Sequence, residues 1–235
     1  MKYISYSWVL PIKNEALSLP RLITEIKTAM KGQIYEIIAV DDASNDNSLQ
    51  ILGKLQKQLP RLRIIHFTSC QGKWVALRTG LEKSLGRVII TLDSDLQDDP
   101  QEVSKLLHKL GQGYDVVSGW RKERVDPLYK VLISKLGNLL VSLLVKHKFQ
   151  DLNSPFKVYR RAIIDNLPKE GSLLRFTLLF AYKLGYKIAE VSVVHRERFY
   201  GRSKFGMIKY MRIIYDLILV FLLFTGSGQL TKQRQ

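Results

Sequence analysis

Val88-Ile89-Ile90-Thr91-Leu92-Asp93-Ser94-Asp95-Leu96-Gln97-Asp98-Asp99-Pro100 decides how the chain is read. It opens as an apolar, β-branched run of the kind a strand buried on both faces requires. It then breaks into four carboxylates, and Pro100 starts a helical pattern. Asp98 and Asp99 stand just ahead of the proline, where helix N-caps belong. Asp93 and Asp95 need a different explanation, because burying them without a cationic partner is too costly. A strand ending in Asp-x-Asp suits a hard divalent cation, with carboxylate oxygens on one side and substrate phosphates on the other.

Working outward, the same design recurs. Tyr6–Pro11 reads as a strand, and Leu19, Leu22, Ile23, Ile26 and Met30 share one face of a helix. Glu36–Val40 is a second strand that also runs into carboxylates, Asp41-Asp42, ahead of a helix from Ser48 to Gln58. Arg63–Phe67 is a third, followed by Gln71-Gly72-Lys73 and a helix through Ala76 and Leu81; Arg87–Leu92 is the fourth. A helix from Gln101 to Leu110 and a strand at Asp115–Ser118 follow, the latter ending at Gly119-Trp120-Arg121. Strand–helix alternation with short connections predicts an α/β fold with a mostly parallel sheet covered on both faces. Ligands of such sheets bind beyond the carboxyl ends of the strands, where Asp41, Asp42, Asp93, Asp95 and Arg121 all fall. One site is the economical reading.

Beyond Arg121 the rhythm changes. Leu128, Val131, Leu132, Leu136, Leu139, Leu140, Leu143 and Leu144 form a helical stripe expected to pack in the core. Asp151–Phe156 reads as a loop, Lys157–Arg160 as a short strand, Leu173–Leu184 as a helix and Lys187–Val194 as a strand. A cation-rich stretch with flanking aromatics, His195–Lys204, closes the catalytic unit, placed at 1–204. Residues 205–225 then mix Lys209, Arg212 and Asp216 with the apolar run Leu217–Phe224, which falls far short of the roughly 20 apolar residues of a bilayer span. An amphipathic helix in the membrane interface is expected there, followed by a polar tail, 226–235.

The 235 residues carry 37 Lys+Arg against 21 Asp+Glu, a formal charge of +16, and that excess needs a partner. Basic residues are dispersed, with no zinc-finger spacing or dense basic arm, so nucleic acid is disfavoured against a membrane surface or a polyanionic small substrate. A single cysteine, Cys70, excludes an internal disulfide and any Cys-rich metal site; it reads as a small half-buried residue. No secretory leader is visible ahead of Tyr6.

Five motifs in register carry a resemblance. Pro11-x-x-Asn14-Glu15, Val40-Asp41-Asp42-x-Ser44-x-Asp46, Leu92-Asp93-x-Asp95-Leu96-Gln97-x-x-Pro100, Ser118-Gly119-x-Arg121 and Arg198-x-Tyr200-Gly201-x-Ser203-Lys204 occur in this order. Together they resemble a family 2 glycosyltransferase of the dolichol-phosphate mannosyltransferase type, including relatives that glycosylate undecaprenyl phosphate, over roughly residues 5–216. The resemblance implies a GT-A fold, Rossmann-like, and a Mg²⁺ or Mn²⁺ held by Asp93, Asp95 and Gln97. It implies a nucleotide-sugar donor bound by Pro11, Asn14, Glu15, Asp41, Asp42, Lys73 and Asp93. It also implies a polyprenyl phosphate acceptor met by Lys130, Ser134, Arg198, Arg202 and Lys204. Asp93, Asp95, Arg121 and Arg202 are the expected catalytic set, with inversion at the anomeric carbon, on the cytoplasmic face of the membrane as a peripheral protein.

Three positions depart from the family pattern: Lys13 replaces an aromatic, Lys130 an Arg, and Pro155 a small residue. Other readings stay open. A hydroxyl acceptor would need a general base, for which Asp151 is the candidate. A non-catalytic nucleotide-sugar module has no use for Asp93-x-Asp95 with Gln97. A nucleotidyltransferase would ordinarily show a Gly-rich phosphate loop where Ile12-Lys13-Asn14-Glu15 stands.

Overall fold

The structure, a computed structural model, describes residues 4–123, 128–168, 171–197 and 199. The side chains of residues 128–130, 133, 144 and 171 are also outside that description. Arg198, Arg202, Lys204, the side chain of Lys130, the expected helix at 205–225 and the tail at 226–235 therefore lie outside the described residues.

Seven strands form one sheet: β1 (Tyr6–Ile12), β2 (Tyr35–Asp41), β3 (Leu62–His66), β4 (Val88–Thr91), β5 (Val116–Arg121), β6 (Lys157–Arg160) and β7 (Ile188–Val193). Their order is β3-β2-β1-β4-β6-β5-β7. β1 pairs in parallel with both β2 and β4, β2 with β3 and β5 with β7, while β6 runs antiparallel to β4 and β5. The first three strands are laid down in one direction and β4 returns to the other side of β1. That reversal makes the β1/β4 boundary a topological switch point, where the loops diverge and leave a crevice.

Period-2 alternation sorts the strands' side chains between two layers. Trp8, Leu10 and Ile12 of β1, Ile37 and Ala39 of β2, and Ile90 and Leu92 at β4 pack beneath α1 (Leu19–Ala29), α2 (Ser48–Gln58) and α4 (Val103–Gly111). Val9, Ile89 and Val116 face α3 (Lys73–Lys83), α5 (Leu128–Val145) and α6 (Thr177–Lys183). Gly80 lets α3 lie close on the sheet, since a Cβ there would collide with Val9. This seats the first residue of α3, Lys73, beside the end of β4.

The long helix corrects the sequence reading. Leu132, Leu136, Leu139, Leu140 and Leu143 of α5 are 53–67% exposed rather than packed in the core. Helical spacing puts Asn138, Val141 and Val145 on the buried side, and the leucine stripe is wider than the surface available to cover it. Among the described residues no helix is long and apolar enough to cross a membrane.

Candidate active site

The β1 and β2 motifs are stitched together beside the crevice. The Asn14 and Glu15 amides donate to Ser44 Oγ at 2.9 Å and Ser48 Oγ at 2.8 Å, and the Asn45 amide donates back to Asn14 Oδ1 at 2.9 Å. Lys13 spends its ammonium on the Asp42 and Ala43 carbonyls, at 2.7 and 2.5 Å. Asn14 and Ala43 both adopt positive φ, 53° and 52°, where the two loops turn against each other. Eight residues from two loops far apart in the chain thus hold one rim.

Asp41 and Asp42 do different work. Asp41, wholly buried, accepts from His66 Nδ1 at 2.8 Å and the Ser44 amide at 3.3 Å, and its Oδ1 has no hydrogen-bond partner. Asp42 accepts from the Gln71 and Gly72 amides at 2.6 and 3.0 Å and from Cys70 Sγ at 3.2 Å. It therefore organises the loop that launches α3. Cys70 is exposed, not half-buried as its small size had indicated.

The turn after β4 holds the sharpest geometry. Asp93 Oδ2 accepts from Lys73 Nζ at 2.7 Å, an ion pair left partly open to solvent on both sides. Ser94 is buried and donates to the Pro11 carbonyl at 3.1 Å, tying β4 to β1 across the switch point. Leu96 takes φ +63°, a strained conformation for a bulky residue, and its completely buried side chain anchors the turn in the core. The Gln97 amide donates to Asp95 Oδ1 at 3.2 Å, so Asp95 and Gln97 are held as one unit.

Of the two carboxylates before Pro100, only Asp99 caps, accepting from the Gln101 amide at 2.9 Å. Asp98 was expected to share that role and does not. Its backbone bridges to His195, its side chain is 2% exposed, and its Oδ1 has no hydrogen-bond partner. Burial pushes its pKa up to about 7; the nearby Arg121 pulls it down, and the charges of Asp93, Asp95 and Asp151 push it further up. Asp98 is the site residue that sequence reasoning missed. The only available signal was that a capping pair needs one aspartate, not two.

Asp98 Oδ1, buried and without a partner, lies among carboxylates whose mutual repulsion a cation would relieve. Among the described residues no three carboxylate, imidazole or thiol side chains converge into a closed cage. The donors of Asp93, Asp95 and Gln97 are hard oxygens on one short turn, which fits Mg²⁺ or Mn²⁺ when phosphates complete the shell.

Arg121 lies at the end of β5, as expected, but its guanidinium is already engaged. Nε and Nη2 donate to Asp151 Oδ2 and Oδ1 at 2.7 and 3.0 Å, a bidentate pair with the Asp151 side chain 3% exposed. The Asp151 amide in turn donates to Glu190 Oε1 at 2.7 Å. Ser134, the remaining candidate, sits half-buried on α5.

A Rossmann-like sheet with an acidic turn at its switch point defines an α/β protein of the GT-A fold. The fold extends to solved structures of glucosyl-3-phosphoglycerate synthase from Mycobacterium tuberculosis. The complex with Mn²⁺, UDP and phosphoglyceric acid superposes with a TM-score of 0.74, at 19% identity, over 96% of this chain and 80% of that one. Residues 7–167 match glycosyl transferase family 2, and the chain belongs to that family. It is 35% identical over 216 residues to the undecaprenyl-phosphate 4-deoxy-4-formamido-L-arabinose transferase of Pectobacterium atrosepticum, and 34% over 215 residues to that of Salmonella typhimurium. Those alignments cover 90% of this chain and 66% of each relative's length.

Proposed function

We propose that the protein is an inverting glycosyltransferase that moves a sugar from a nucleotide-diphosphate donor to a polyprenyl phosphate at the cytoplasmic face of the membrane, with Mg²⁺ or Mn²⁺. The observation that carries this reading is the turn Asp93–Gln97 at the β1/β4 switch point, with Lys73 paired to Asp93 at 2.7 Å. The relatives named for undecaprenyl-phosphate sugar transfer support the acceptor class, and the Mn²⁺–UDP complex of the structural neighbour supports the donor and metal class.

Asp93, Asp95 and Gln97 would hold the cation, which when bound offsets the charge that develops on the departing diphosphate. The ammonium of Lys73, which pairs with Asp93, is the cation this reading assigns to a donor phosphate. The stitched loops of β1 and β2 form the rim against which the nucleoside rests. Buried Asp41 Oδ1, still without a partner, is available there to a ribose hydroxyl or a base N–H.

A phosphate monoester has a second pKa of about 6 and is largely a dianion at neutral pH, so it needs no general base to attack. It needs fixed cations in line with the leaving group. Arg121, held rigid by Asp151, is one; Lys130, Arg198, Arg202 and Lys204 are the others this reading assigns. Asp151 holds Arg121 with both oxygens, which favours the phosphate acceptor over a hydroxyl that would require that carboxylate as base. The five exposed leucines of α5, with a net charge of +16, suit an anionic lipid surface where a polyprenyl acceptor resides.

The test is a donor screen. Purified protein is incubated with Mn²⁺ or Mg²⁺, undecaprenyl phosphate in detergent, and labelled GDP-mannose, UDP-glucose, UDP-N-acetylglucosamine or UDP-4-deoxy-4-formamido-L-arabinose. Label moving to the lipid phase with one donor, and not in EDTA, is the expected result. Transfer to water-soluble hydroxyl acceptors alone would overturn the acceptor assignment, and the absence of nucleotide binding would overturn the whole reading.

A further inference from the structure

Past Val193, where β7 ends, the chain crosses the turn that follows β4. His195 bridges antiparallel to Asp98, and the Arg196 amide donates to the Gln97 carbonyl at 2.7 Å. The Arg196 guanidinium then reaches two elements. Its Nη2 pairs with the Asp99 carboxylate, and its Nη1 donates to Glu25 Oε2 on α1 at 2.9 Å. Arg196 stands in none of the five motifs, and the proposed function gives it no role.

The turn has reason to need this support. Leu96 sits at φ +63°, and a strained backbone persists only where its surroundings fix it. Upstream, Ser94 is tied to β1 by its bond to the Pro11 carbonyl at 3.1 Å. Downstream, His195 and Arg196 between them hold Gln97, Asp98 and Asp99. Asp95 and Gln97, the residues assigned to the cation, fall between those anchors, with the Gln97 amide donating to Asp95 Oδ1.

The clamp is built to hold direction. Its side chains are 18–22% exposed, so water screens them only in part. A planar guanidinium facing two carboxylates fixes their orientation, which a lysine on its flexible stem does less well. Three residues on, Arg21 of α1 pairs with Glu25 at 2.9 Å and lies over the Phe199 ring, 4.1 Å from its centroid. The segment is thus held to α1 twice.

We propose that Arg196 is a positioning residue for the cation site: by clamping Gln97–Asp99 it keeps the Asp95 and Gln97 oxygens set for one divalent ion. It touches neither ion nor substrate. The proposal rests on the metal reading of the turn given above, and its test separates the two.

Electron paramagnetic resonance of free Mn²⁺ measures the ion's affinity for the full chain with UDP or GDP present, and the nucleotide giving the tighter binding is carried forward. Removing a positive charge near a cation site would by itself tighten Mn²⁺. A positioning role predicts the opposite sign: Arg196→Gln should weaken Mn²⁺ about tenfold, and Arg196→Lys should recover part of the loss. Glu25→Gln, which releases the α1 arm alone, should lower the melting temperature and leave Mn²⁺ affinity within about twofold. In EDTA, where no ion competes, hydrogen exchange over residues 93–99 should quicken in Arg196→Gln and in Asp99→Asn but not in Glu25→Gln. If Arg196→Gln does not fold, Arg196→Lys and Asp99→Asn carry the same comparisons. Mn²⁺ affinity unchanged or tightened in a folded Arg196→Gln would overturn the proposal, as would an equal loss in Glu25→Gln or exchange over 93–99 that ignores both Arg196 and Asp99. A wild type that binds no Mn²⁺ with either nucleotide overturns the metal assignment and this proposal together.

Discussion

The two ends of the crevice are built differently. On the β1/β2 side, backbone amides and short polar side chains close on one another: Asn14 with Ser44 and Asn45, Glu15 with Ser48, Lys13 with two carbonyls. On the β5/α5 side, charge is held in the buried pair of Arg121 with Asp151, and the adjoining helix presents five leucines outward. Rigid polar loops suit a small, water-soluble donor whose shape is constant. An apolar face beside a fixed cation suits an acceptor that is anionic at one end and oily along its length. The turn Asp93–Gln97 lies between them and, in the proposed function, would serve both.

If that division is right, the largest effect belongs to the shared turn. Asp95→Ala should lower transfer by at least about a thousandfold, roughly 4 kcal/mol of barrier, while leaving the melting temperature near that of wild type. Single-turnover transfer with labelled donor measures it. Near-normal turnover would remove the turn from the chemistry and leave the two ends unconnected.

Next comes the pair that anchors the acceptor end. Asp151→Asn removes the carboxylate charge that holds the guanidinium of Arg121, whose side chain is 10% exposed. Breaking this buried ion pair should cost about 3 kcal/mol, read from chemical denaturation midpoints at an unchanged m-value. The matching change at the donor end, Ser44→Ala, should cost about 1 kcal/mol, because its bonds are neutral and shared among several neighbours. Equal costs would mean that the two ends are held by the same means, against the comparison.

Asp98 adds a pH dependence centred on the turn. Folding raises its pKa from 3.8 to about 7, so the native state holds this proton more tightly than the unfolded chain. Its contribution to stability is fully present below about pH 4 and is lost as the pH climbs through 7. In EDTA, Asp98→Asn should therefore abolish that loss and exceed wild type at pH 8 by up to about 4 kcal/mol. Thermal melts from pH 4 to 8 measure it, and a wild type whose stability stays flat over that range would contradict the burial argument.

What the sequence disclosed follows the same division. Strands β1, β2 and β4 were legible because a strand buried on both faces is a continuous apolar run, and each connection was short. The rim residues Asn14, Asp41, Asp42 and Ser44 were found through their motifs, although no local rule shows that Lys13 would be consumed by two carbonyls of the next loop. Lys157–Arg160 reads as a strand locally; its antiparallel place between β4 and β5 depends on partners far away in the chain. Asp98 and Asp99 look alike in sequence, and only the return of the chain at His195 buries one of them. The leucines of α5 show the limit most clearly. Their spacing specifies a helix with an apolar face, and spacing carries no information about what that face meets.

That face supports the smallest and most discriminating prediction. Leu136 is 57% exposed on the outer side of α5, away from Val141 and Val145. Replacing it with glutamine removes apolar surface from the proposed lipid contact and takes nothing from the core, so the melting temperature should move by less than about 0.5 kcal/mol in equivalent stability. Binding to anionic phospholipid vesicles, followed by sedimentation, should weaken by about tenfold, about 1.4 kcal/mol for one leucine withdrawn from lipid. Donor binding should be untouched, since the rim of β1 and β2 shares no residue with α5. Vesicle binding that survives the change, together with a sedimentation coefficient that falls, would show that the leucines cover another protein surface. The acceptor end would then be closed by protein as the donor end is, and the contrast between them would reduce to charge alone.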